Sequence, residues 1–97
     1  MKETTFYIVL NIKTGNGFET YGRFFLGNDK DFAYSIFGKL KGNKKVNDKT
    51  ILHLDFMETR RGLPVNIQVI SCTLEELGEN CKIITKETFK RFNLEKM

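Results

Sequence analysis

"LHLDFMETRRGLPVNIQVIS", residues 52–71, decides how the chain folds. Leu52, Leu54 and Phe56 alternate with His53, Asp55 and Met57, the two-residue period of a strand with one buried face. "RRG" (Arg60–Gly62) supplies a turn, and the chain returns through Leu63–Ser71 with Val65, Ile67 and Val69 on alternate positions. Pro64 has no N–H to give to a ladder, which puts it at a strand start or on an edge. The stretch reads as a β-hairpin, since a helix would need its apolar residues three and four apart.

The N-terminal part has the same plan. In "FYIVLNIK" (residues 6–13), Phe6, Ile8, Leu10 and Ile12 share one face, with Tyr7, Val9, Asn11 and Lys13 on the other. "TGNG" (Thr14–Gly17) is a hairpin turn, and Tyr21–Gly27 is the return strand. Phe24–Phe25–Leu26 is apolar whichever way the strand faces, so at least one large side chain is left on the outer side.

A helix follows each hairpin. The first spans residues 28–42, with Asn28 as cap, Asp31 in the first turn and Gly42 as the stop. Phe32, Ala33, Ile36, Phe37 and Leu40 form its apolar stripe. Gly38 costs this helix roughly 1 kcal/mol against alanine, and the expectation is that it permits close packing on the sheet. In the second helix Thr73 and Glu76 form a capping box, Cys72 and Leu77 a hydrophobic staple, and Leu74, Leu77 and Cys81 an apolar face. Thr85 opens a last helix, with Ile84 and Phe89 as its staple, that continues through Phe92. Setting Leu10 on Leu54 and Asn28 on Thr73 gives an internal offset of 44 to 45 residues, a repeat of plan with little side-chain identity. The expected fold is α+β: one domain over residues 1–97, in two layers, with a four-stranded, mainly antiparallel sheet and helices on one face in the order ββαββαα.

Nine Phe and three Tyr bring enough apolar area for a small core, so folding calls for no cofactor or metal. The run Phe6–Leu10 is too short for a signal-peptide core, and no stretch approaches the roughly 18 apolar residues of a membrane span. A cytoplasmic protein with no membrane partner is expected. Cys72 and Cys81, nine residues apart, then read as reduced structural thiols and not as a metal pair or a nucleophile.

The chain has one histidine, and it does not head a site. His53 and Asp55 share a strand face, while Glu58 follows the parity of the core residues and points the other way. Two neighbouring side chains fall short of the three protein ligands that catalytic zinc takes, and the candidate nucleophiles Ser71, Cys72 and Cys81 are expected at other strand ends. "GNG" lacks the third glycine and the following helix of a dinucleotide fingerprint, and there is no phosphate-binding loop, paired CxxC or nucleophile elbow. Catalytic residues are therefore not expected.

What remains is the outward face of the sheet, with Tyr7, Val9, Tyr21, Arg23, Phe25, His53, Asp55 and Met57, and beyond them Asn66, Gln68 and Ile70. Tyr, Phe, Met and Arg are enriched at protein interfaces, and a patch of them exceeds what monomers ordinarily expose. Three readings compete for it. The face binds a second copy or another protein. Alternatively, the last helix covers it with Phe89 and Phe92. Or it stacks the bases of a single-stranded nucleic acid, with Lys39, Lys41, Lys44, Lys45 and Lys49 of the basic loop on the phosphates. The first makes the chain a non-enzymatic interaction or regulatory module, a homodimer being its simplest form.

Overall fold

In the computed structural model, which describes residues 4–47 and 49–94, the strands are β1 (Thr5–Thr14), β2 (Gly17–Gly27), β3 (Leu52–Arg60) and β4 (Leu63–Ser71). Helix α1 (Lys30–Lys39) joins the two hairpins. Helix α2 (Leu74–Phe89) follows β4 and passes into a π-helical segment, Lys90–Leu94, which completes the order ββαββαα. Every strand pairing is antiparallel, and the sheet order is β2-β1-β3-β4.

Both turns follow from their residues. Thr14 Oγ1 accepts from the Asn16 N–H and donates to the Gly17 carbonyl, which closes the first hairpin. At the second, Arg61 and Gly62 both have positive φ (53° and 83°), the backbone of a two-residue turn whose twist suits the flanking strands. Pro64 lies on β4, an edge strand, so its missing N–H breaks no central ladder.

The hairpins join through β1 and β3, and Leu10 pairs directly with Leu54. Those two residues are equivalents in the sequence offset, so the ββα plan repeats about a pseudo-two-fold axis through this pair. Ile8 opposite Phe56 and Ile12 opposite Leu52 obey the same symmetry.

Both helices lie on one side. Phe6, Ile8, Leu26, Leu54, Phe56 and Ile70 of the sheet are buried with Ala33, Ile36 and Phe37 of α1 and Ile84 of α2. Phe56 is the hub: its ring stacks on Phe37 at 4.9 Å and meets Tyr34 edge-on at 5.0 Å. The α2 capping box is complete, with Glu76 N–H donating to Thr73 Oγ1 and Thr73 N–H to Glu76 Oε1.

Several boundaries differ from expectation. The α1 cap is Asp29, whose carboxylate accepts from Phe32 N–H, so the helix starts one residue later than an Asn28 cap predicts. It ends with Leu40 extended; Gly42 serves another purpose, since a Cβ there would lie 2.6 Å from the Ser71 carbonyl oxygen. Thr85 does not open a helix. No proline or glycine interrupts the chain there, so α2 runs through it and the last segment begins at Lys90.

The largest difference is in β4. A bulge puts Gln68 opposite Phe56 and Asn66 opposite Met57, leaving Ile67 as the extra residue. Beyond it the parity inverts. Ile70, opposite Leu54, is buried under the helices, and Val69, opposite Asp55, turns outward. Gln68 and Ile70 therefore leave the outward face, and Asn66 stays on it.

Candidate functional site

The outer face is read off the register in rows across β2, β1 and β3. Phe25, Tyr7 and Met57 form one, and Arg23, Val9 and Asp55 the next. The third is Thr20, Asn11 and His53. A bulge makes Tyr21 the extra residue between Thr20 and Gly22, so Thr20 and not Tyr21 takes the outward position opposite Asn11. Tyr21 remains 60% exposed on the edge strand, and Phe25 is 63% exposed.

Among the described residues no element covers this face. The chain's last segment packs elsewhere: Phe92 lies against Gly27 and meets the Phe32 ring edge-on at 6.3 Å, while Arg91 stacks over Phe32 and pairs with Asp29. That is the start of α1, on the helical side of the sheet. Phe89 stays largely exposed. The expectation that Phe89 and Phe92 wrap over Phe25 thus fails, because α2 continues straight to the β2 end of the helical layer.

Val9 is only 8% exposed although it faces outward, because its neighbours close over it. Arg23 turns back over the Tyr7 ring, its guanidinium carbon 5.9 Å from the ring centre. Tyr7, Val9, Arg23, Asp55 and Met57 line a shallow depression of about 470 Å³ that continues to Gly62 and Pro64. Its floor is the central strand, with a cation on one side and an anion on the other.

Beside it lies the polar part of the face. His53 Nδ1 bonds Asp55 Oδ1, Asn66 Nδ2 donates to Asp55 Oδ2 at 3.0 Å, and the Phe18 ring packs on the imidazole at 4.4 Å. Glu58, as its parity requires, is on the other side of β3. There it accepts from Arg60 Nε at 2.8 Å, a hydrogen bond that holds its carboxyl below the usual carboxylate range. The three side chains of the sequence cluster are thus divided between two faces, whereas Ser71, expected at another strand end, stands opposite His53 on β4 with its hydroxyl directed at the Asn43 and Lys45 carbonyls. Among the described residues no three His, Cys, Asp or Glu side chains come together as metal ligands would.

The two cysteines are free. Burial pushes the Cys72 thiol up to about 11, and its Sγ is engaged by the Lys41 carbonyl and the Asn80 amide. A thiol so protonated is a poor nucleophile.

The five lysines of the basic loop do not act together. Lys39 pairs with Glu87 and Lys41 with Glu79, so α2 neutralises two of them. The loop is pinned to the β4 edge by Asn43, which exchanges backbone hydrogen bonds with Ser71. Phe25 and Tyr7 stand on the opposite half of the sheet, and three strand spacings, about 14 Å, separate β2 from β4. Stacking aromatics and free lysines therefore do not adjoin.

Asn80 escapes the sequence reading altogether. It is fully buried on α2, accepts from the Lys41 N–H at 2.7 Å and donates to the Lys41 carbonyl at 2.8 Å. The one available signal is its position between Leu77 and Ile84 on the packed side of the helix. Comparison with protein-family models, curated proteins and solved structures finds no match to this chain. Among the described residues no helix is long and apolar enough to cross a membrane.

Proposed function

We propose that the chain is a non-enzymatic interaction module that binds protein through the uncovered sheet face, with a second copy of itself as the simplest partner. The observation that carries this reading is the row Phe25–Tyr7–Met57 on a sheet whose helices all lie on the other side. An aromatic edge strand beside a Met-containing centre suits a partner's apolar side chains, and each one buried contributes roughly 1.5–3 kcal/mol. Arg23 and Asp55 flank Val9 in the next row, so a partner related by a two-fold axis along β1 meets each charge with its opposite. A cytoplasmic location suits the two free thiols, which an oxidising compartment tends to pair.

Sedimentation of the wild type over a wide concentration range, beside Phe25→Glu, tests the reading. The wild type is expected to gain mass with concentration, and the variant to stay a folded monomer with an unchanged circular-dichroism spectrum. A wild type that is monomeric at the highest concentration reached would remove self-association.

A further inference from the structure

The bulge in β4 also creates something on the helical side. With the parity inverted, Gln68 turns under the helical layer next to Ile70, into a cleft between α1 and β4. The cleft holds about 210 Å³, the room of some seven water molecules, and is smaller than the sites of drug-sized ligands. Its walls are Tyr34, Phe37, Phe56 and Ile70, and its polar groups include Gln68 and Lys44.

Three features set the cleft apart from a packing gap. Gln68 is half-buried, and its amide has no hydrogen-bond partner among the described residues. Lys44 forms no ion pair among them either, and no acid lines the cleft, so its one charge is cationic. Gly38 stands inside a helix at a propensity cost, yet a Cβ there would meet nothing within 4 Å. The close packing expected of this glycine is absent, and Gly38 lines the cleft instead.

We propose that the cleft between α1 and β4 binds a small aromatic carboxylate, its ring against Tyr34 and Phe37, its carboxylate at Lys44 and Gln68. The size admits one ring and its acid group. Aromatic walls favour a planar ring over a saturated one, an ammonium supplies the counter-charge, and the Gln68 amide N–H can donate to the same carboxylate. The site is independent of the sheet face, which lies on the opposite side of β3 and β4.

Amide and side-chain NMR titration with benzoate tests this, with benzylamine and cyclohexanecarboxylate as controls. Saturable shifts at millimolar benzoate are expected at Gly38, Gly42 and the Gln68 side-chain NH₂. Benzylamine should give none, and cyclohexanecarboxylate should bind several-fold more weakly. Lys44→Ala and Gln68→Leu should each weaken benzoate several-fold, and Gly38→Leu, which keeps the helix and adds a bulky side chain to the cleft lining, should abolish it. No saturable shift in the wild type would overturn the proposal. So would equal binding of benzylamine, equal binding of the saturated acid, or undiminished binding to folded Gly38→Leu.

Discussion

The two faces of β3 differ more than any two regions of the fold. Leu54 and Phe56 point into the helical layer and are almost wholly excluded from water. His53, Asp55 and Met57 point the other way and are half-buried, held by hydrogen bonds, a ring contact and their neighbours. One strand thus has a side fixed by apolar packing and a side fixed by polar geometry that is open to a partner. Stability is concentrated on the helical side of the sheet, and the other side leaves surface available.

Truncating one large side chain on each face gives the largest expected contrast. Phe56→Ala removes the ring on which Phe6, Tyr34 and Phe37 converge, and should cost about 3–5 kcal/mol. For a domain whose whole stability is about 5–15 kcal/mol, that leaves little margin. Phe25→Ala on the outer face should stay within about 0.5 kcal/mol at low protein concentration. Urea unfolding measures both, and similar costs would mean that the outer face is covered after all.

A second contrast sets buried polarity against apolar burial. Asn80→Ala leaves the Lys41 N–H without its partner beneath the loop and its carbonyl with only the weak Cys72 thiol donor, at about 1–3 kcal/mol for a buried group that water cannot reach. It should also loosen the segment after α1, seen as faster amide hydrogen exchange at Lys41 and Asn43. Unchanged exchange would show that the Asn43–Ser71 bridge holds the loop alone.

How much of this the sequence discloses depends on whether the information is local. Alternation in β1 and β3 is legible because burial on one face imposes a period of two, and the Thr73–Glu76 capping box because both partners lie within one turn. The Ile67 bulge is not legible, since no glycine marks it, and the whole inversion of Gln68, Val69 and Ile70 depends on it. The Tyr21 bulge does carry a local signal, since Gly22 follows it and an isolated glycine inside a strand pattern marks such sites. The cap at Asp29 was a choice between two adjacent cap-forming residues, which Arg91, far along the chain, favours by pairing with it. The pairing of Lys39 and Lys41 with Glu87 and Glu79 is likewise tertiary, so in the sequence all five lysines read as free charge although two of them are matched by α2. The candidate face survives in outline because most of it sits on β1 and β3, where parity is unbroken.

On the outer face, His53 contributes little to stability. His53→Ala deletes the bond to Asp55 and the contact with Phe18, yet Asp55 keeps Asn66, and water can reach the vacated oxygen on an open face. The cost should stay below about 1 kcal/mol, the scale of a single solvent-accessible hydrogen bond, with the fold unchanged by circular dichroism. Asn80→Ala removes bonds of the same kind from a place water does not enter, so the two substitutions differ chiefly in whether solvent can stand in. The test becomes more informative when protein concentration is varied. If the outer face associates, the wild type gains stability from mass action as concentration rises, and His53→Ala at the edge of the patch should lose part of that gain. Thermal unfolding at several concentrations reads both quantities. A small, concentration-independent cost would describe a face that stays in water, whereas a cost that grows with concentration would describe one that His53 helps to close.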